Sequence, residues 1–139
     1  MPIILLIRMA LNAIDGMMAR QLHMESRIGV YLNEMGDLIS DLFLYLPFAL
    51  AYPWLMGPAI FLIFFTEISG MLGLAIGTER RFDGPMGKSD RAFYFGCAGF
   101  LISMGWINHF WSAVVLSAMM PLLCWTIFLR IKNALSGGP

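Results

Sequence analysis

Apolar stretches of roughly 20 residues recur along this chain, and they restrict its fold more than any other feature. Hydrophobic residues make up 59% of its 139 residues and charged residues 13%, too few to cover the surface of a water-soluble domain. Within a hydrocarbon core about 30 Å thick, every backbone amide needs a partner in its own segment, which here means an α-helix. The sequence therefore predicts an all-α integral membrane protein.

The hydropathy pattern predicts a single transmembrane domain over residues 1–139, built as a bundle of about five helices. We expect these helices at 1–20, 28–50, 54–78, 91–106 and 110–131. The start of the chain has neither a basic leader nor a cleavage site, so we interpret it as the beginning of a retained helix. Since that helix is barely long enough to cross a membrane, we expect a further segment upstream.

The distribution of charge predicts the orientation of the bundle. Turns 20–27 and 79–91 are charged, whereas the turns between the other helix ends contain neither Lys nor Arg. The positive-inside rule places the charged turns in the cytoplasm. Nine Lys and Arg balance nine Asp and Glu, so no basic excess indicates a nucleic-acid partner. The opposite interface carries three tryptophans: Trp54, Trp106 and Trp111.

Small residues within the apolar runs predict packing rather than chemistry. The two cysteines, Cys97 and Cys124, lack the spacing of a metal site or redox pair, and we expect them to be small buried residues. Glycine pairs such as Gly73 and Gly77 favour close helix packing over a dedicated dimer motif. A homodimer is left open.

Six charged residues fall within the predicted spans: Arg8, Asp15, Glu34, Asp37, Asp41 and Glu67. Each uncompensated charge there costs roughly 2.5–3.5 kcal/mol. Helical periodicity puts the acids of the first two helices on one stripe each, and facing acidic stripes repel. A divalent cation between them removes that repulsion, and oxygen ligands suit Mg or Mn. The alternative is that these groups form hydrogen bonds within the bundle.

Depth along the helices predicts a partner for the one basic residue among the six. Arg8 lies too far from either interface to reach water comfortably. Glu67 lies at the same level, and Asp41 is the alternative at a similar depth. We therefore predict a buried ion pair between Arg8 and Glu67, with a structural role.

The spacing around two of the acids is the most specific pattern in the chain. It runs Asp15-Gly16-x-x-Ala19-Arg20, then eight residues, then Gly29-x-x-x-Asn33-x-x-x-Asp37. This resembles the signature of the CDP-alcohol phosphatidyltransferase family, D-x-x-D-G-x-x-A-R-x8-G-x-x-x-D-x-x-x-D, over residues 12–37. The family usually has six helices, so the chain looks like that fold lacking its first helix.

The resemblance implies a site that binds Mg or Mn and a CDP-alcohol. Its metal ligands would be Asn12, Asp15, Asn33 and Asp37, and Asp37 would also be the catalytic base. Its substrate contacts would be Gly16, Ala19, Arg20, Gly29, Lys88 and Arg91. For Lys88 and Arg91, which precede or begin the fourth predicted helix, a role as topology signals is an equal alternative.

Two residues depart from the family pattern. Asn12 and Asn33 stand where the signature has aspartates, and an amide keeps an oxygen ligand but loses the charge. We therefore expect weaker metal binding than in the family. Glu34 and Asp41, on the same face as Asp37, would restore part of the charge.

The resemblance implies metal-dependent transfer of a phosphoryl-linked group from a CDP-alcohol, such as CDP-diacylglycerol, to an unknown alcohol, with release of CMP. It further implies phospholipid biosynthesis at the cytoplasmic face of a bacterial inner membrane, in contact with membrane lipid. Two alternatives stay open. One is a catalytically impaired relative that serves as a binding or assembly subunit, and the other is a small transporter coupled to protons or ions.

Overall fold

The computed structural model describes residues 27–137, and within this range all regular structure is helical. Four helices follow one another: α1 (Arg27–Ala51), α2 (Pro53–Ala75), α3 (Lys88–Ser103) and α4 (His109–Leu135). They match the last four predicted helices, with ends displaced by a few residues. The all-α prediction is therefore confirmed for the described residues, whereas the predicted helix at 1–20 lies outside them.

Local capping interactions explain why the helix ends differ from the predicted ones. The α2 helix ends early because the chain turns at Gly77, whose φ of 81° favours glycine, and Thr78 N donates to Gly73 O at 3.0 Å. The α3 helix begins early because the Asp90 carboxylate accepts a hydrogen bond from Gly87 N at 3.0 Å. Periodicity alone does not reveal these contacts.

Two of the four helices, α2 and α4, are long and apolar enough to cross a membrane. The α3 helix has 16 residues, and α1 carries three acids within its length. Many large apolar side chains point outward from all four helices, among them Phe43, Phe61, Phe93 and Phe128. Such an apolar exterior suits lipid rather than water.

The core lies between α2 and α4, which make the most extensive helix contact, with α1 and α3 packed at the sides. Its fully buried members include Met56, Leu116 and Met119. Tyr45 of α1 and Phe95 of α3 add a tilted ring contact with centroids 4.6 Å apart. The prediction of buried cysteines was wrong, because Cys97 and Cys124 both lie on the outside of their helices.

The loop between α2 and α3, residues 76–87, folds back over the ends of α2 and α4. Arg81 N donates to Gly70 O at 3.0 Å, and the Arg81 guanidinium donates to Asn133 O at 2.8 Å. Met86 N donates to Thr126 Oγ1 at 3.1 Å. These bonds attach the loop to both helices.

Glycine is required where this loop meets α2. A Cβ added at Gly70 would lie 2.6 Å from Arg81 O, whereas a Cβ added at Gly57 would have no neighbour within 4 Å. We therefore expect Gly70→Ala to lower the free energy of unfolding by about 1–3 kcal/mol. Gly57→Ala is the control, with no loss and a gain of at most about 1 kcal/mol.

Thermal unfolding of each purified variant in detergent micelles measures the difference in stability between Gly70→Ala and Gly57→Ala. Equal melting temperatures for the two variants would show that the loop does not approach α2 as described.

Candidate functional site

Four acids and four bases form a continuous ionic network at the end of the bundle where this loop lies. The acids come from α1 and α2: Glu34, Asp37, Asp41 and Glu67. The bases come from the loop, α3 and α4: Arg80, Lys88, Arg91 and Arg130. The formal charges of this set cancel. The basic ends of the described helices thus lie together, as the charge distribution predicted.

Arg91 and Glu67 form the centre of the network. Arg91 is completely buried, and its Nη2 lies 2.7 Å from Glu67 Oε1 and 3.6 Å from Asp41 Oδ2. Its Nη1 donates to Thr66 Oγ1 and to Met86 O, each at 3.1 Å. A buried guanidinium is stable only when its charge and its N–H groups are satisfied in this way. Arg91 therefore joins α1, α2, α3 and the loop.

Asp41 is held by two partners and points into this centre. Tyr45 OH donates to Asp41 Oδ2 at 3.1 Å, and Arg91 Nε donates to Tyr45 OH at 3.4 Å. Arg91 thus compensates the charge of Asp41. The expectation that Asp41 would restore negative charge to a metal site stays a prediction.

Glu34 connects the centre of the network to the signature helix. Arg80 donates to both of its oxygens, with Nη2 3.0 Å from Oε2, and also reaches Glu67 Oε2 at 3.4 Å. Burial acts to lower the pKa of Arg80, but the hydrogen bonds and charge of Glu34 outweigh it, and the pKa is raised. Arg80 therefore stays charged. Glu34, like Asp41, contacts a base, and its contribution to the charge of a metal site stays a prediction.

Lys88 lies between two acids that are one turn apart on α1. Its Nζ is 3.0 Å from Glu34 Oε2 and 3.1 Å from Asp37 Oδ2. The spacing of three residues between Glu34 and Asp37 matches that between Lys88 and Arg91, so each pair occupies one helix face. Because Lys88 contacts both Glu34 and Asp37 whereas Arg91 contacts Asp41 and Glu67, this spacing alone would not have identified the pairing.

The excess of acid inferred for the bundle was therefore wrong for the described residues. Basic side chains that were also interpreted as topology signals turn inward and compensate the acids. Arg8 lies outside the described residues, and both carboxylates predicted as its partners, Glu67 and Asp41, already contact Arg91. The predicted pair of Arg8 with Glu67 therefore stays a prediction. Sequence reasoning gave Arg80 and Arg130 a role in membrane orientation only, and it gave Thr66 no role.

The signature is only partly within the described range. Asn12, Asp15, Gly16, Ala19 and Arg20 lie outside it. Gly29, Asn33 and Asp37 lie along the first half of α1, with Gly29 exposed in its first turn.

Asp37 is the one predicted metal ligand whose side chain is described. No group of three or more His, Cys, Asp or Glu side chains among residues 27–137 forms a metal centre by itself. The Asp37 carboxylate nevertheless fits Mg or Mn, because it offers hard oxygen ligands and already faces a cation, the Lys88 ammonium at 3.1 Å. The remaining ligands would come from the other signature residues.

The fold and the network define a helical membrane protein with an ionic site at one end of the bundle. The family profile described as CDP-alcohol phosphatidyltransferase matches residues 2–131, nearly the whole chain. Inner membrane protein YnbA of Escherichia coli (strain K12) is 43% identical over 144 aligned positions, covering 97% of this chain and 69% of that protein. No solved structure matches the chain.

This chain belongs to the CDP-alcohol phosphatidyltransferase family, a membrane-embedded family of transferases that act in phospholipid biosynthesis. The resemblance seen in the signature is thereby confirmed.

Removal of the central guanidinium tests the network. We expect Arg91→Met to lower the free energy of unfolding by about 3–5 kcal/mol, because Glu67 and Asp41 would be left buried without their main cation. Lys132→Met, at an exposed position in the last turn of α4, is the control and should change it by less than about 0.5 kcal/mol. Thermal melting in detergent distinguishes the two, and similar melting temperatures would contradict a central role for Arg91.

Proposed function

We propose that this protein transfers a phosphoryl-linked group from a CDP-alcohol, preferably CDP-diacylglycerol, to an alcohol acceptor and releases CMP. Family membership supports the reaction class. The observation that carries the proposal for this chain is the position of Asp37, the last signature residue, within an ionic site that also presents Lys88. A phosphate-bearing substrate requires such an arrangement of acid and base.

The signature residues have distinct roles in this proposal. Asp15 and Asp37, assisted by the amide oxygens of Asn12 and Asn33, would hold Mg or Mn. The metal ion, when bound, neutralises negative charge on the pyrophosphate of the donor. Asp37 also accepts the proton of the acceptor hydroxyl as that oxygen attacks phosphorus.

The remaining predicted residues would bind the substrate. Gly16, Ala19 and Gly29 leave room for the nucleotide against the backbone, and Arg20 contacts its phosphates. Lys88, which is partly exposed, is suited to contact a phosphate of donor or acceptor. The same contact with a substrate phosphate stays a prediction for Arg91, although its described partners give it a structural role.

The proposed location is the bacterial inner membrane, with the site open to the cytoplasm and to membrane lipid. The basic residues around the site support this orientation. The Escherichia coli relative is named an inner membrane protein, which supports the proposed location. In this arrangement α1 and α3 also cross the bilayer, together with α2, α4 and the predicted first helix.

A second candidate is a binding or assembly subunit with impaired catalysis. Asn12 and Asn33 favour it, because two signature charges are missing, and Glu34 and Asp41 each already contact a base. The transporter alternative rested on the charged sites that alternate within the helices, and family membership favours the transferase over it.

The direct test is CMP release from CDP-diacylglycerol by the purified protein with Mg or Mn and a panel of alcohols. We expect metal-dependent release, lowered about a hundredfold or more by Asp37→Asn, which removes both ligand charge and base. Glu79→Gln, at an exposed loop position, is the control and should retain full activity. Absence of release with every acceptor would favour the impaired subunit.

The substitutions at positions 12 and 33 generate a separate prediction. If Asn33 is a weak ligand, Asn33→Asp should tighten metal binding and raise CMP release at limiting Mg or Mn. Titration of the rate against metal concentration measures the effect. An unchanged titration curve would remove Asn33 from the ligand set.

A further inference from the structure

The Lys88 ammonium bridges Glu34 and Asp37 at nearly equal distances, 3.0 and 3.1 Å. Asp37 belongs to the family signature, whereas Glu34 occupies one of its variable positions. The ammonium therefore has two alternative carboxylate partners on one helix face. Only one of them, Asp37, is a predicted metal ligand.

The Lys88 ammonium and a divalent metal ion cannot bind the Asp37 carboxylate independently of each other. A divalent cation bound to this carboxylate would stand close to the ammonium that already contacts it, and like charges repel. Lys88 has a flexible stem and its side chain is 28% exposed, so it is free to shift. Glu34 gives the ammonium a place to remain, because contact with that carboxylate continues to compensate its charge.

We propose that Lys88 and the divalent cation compete for Asp37, and that Glu34 is the positioning residue that retains Lys88 when the cation binds. This inference rests on the proposed function, since it takes Asp37 as a metal ligand. Lys88 then sets the cation affinity of a site already weakened by two asparagines. It also means that Lys88 is released from Asp37 at the moment when an anionic substrate can use it.

The experiment measures Mn²⁺ binding without substrate. Purified protein in micelles is titrated with Mn²⁺, and the electron paramagnetic resonance signal gives the concentration of free Mn²⁺. We expect Lys88→Gln to bind Mn²⁺ at least about fivefold more tightly, because the competing charge is gone. Glu34→Gln should weaken binding, because Lys88 would then turn to Asp37. Lys88→Arg keeps the charge and should stay within about twofold of the parent protein.

Lys132→Gln is the matched control, since it removes the same charge from an exposed position in the last turn of α4. It should leave Mn²⁺ affinity unchanged. Equal tightening by Lys132→Gln and Lys88→Gln would show a diffuse charge effect and overturn the inference, as would unchanged or weaker binding by Lys88→Gln.

Should Lys88→Gln fail to fold, Glu34→Gln decides the matter, and tighter or unchanged binding in that variant overturns the competition. Mn²⁺ binding that the parent protein shows and that no variant alters would leave the proposed function intact and remove this inference alone. A lack of Mn²⁺ binding in the parent protein and all variants would overturn both.

Discussion

The buried ion pair between Arg91 and Glu67 is the interaction on which the rest of the structure depends. A guanidinium with no solvent exposure, in a helical bundle with an apolar exterior, carries a large desolvation cost. Here that cost is offset by a carboxylate at 2.7 Å, a second carboxylate and a backbone carbonyl of the loop. Because these partners come from different elements, satisfying one side chain fixes the relative positions of α1, α2, α3 and the loop.

The same network places the signature helix. From Glu67 the contacts continue through Arg80 to Glu34, and from Glu34 through Lys88 to Asp37. The residue proposed to carry catalysis is therefore connected to the structural centre by alternating charges. Such alternation allows a site to hold several ionised groups in a medium of low dielectric constant.

Hydropathy alone was sufficient to predict α1 to α4, because apolar runs in lipid leave helix as the only option. Spacing alone was sufficient for the family, since the signature is a local pattern. The pairing of acids with Arg80 and Arg91 could not be predicted, because it depends on the path of residues 76–87 and on helix rotation. The prediction that Cys97 and Cys124 are buried failed because it also depends on helix rotation. In a membrane, apolar residues face outward as readily as inward.

The central claim is that the basic residues at this end of the bundle serve as counter-ions to the acids within it. A double-mutant cycle on Arg91 and Glu67 measures this most directly, using Arg91→Met, Glu67→Leu and the double variant in reversible unfolding experiments in mixed micelles. The account predicts a coupling free energy of at least about 2 kcal/mol, with the double variant more stable than the two single losses imply. A coupling free energy near zero would contradict it.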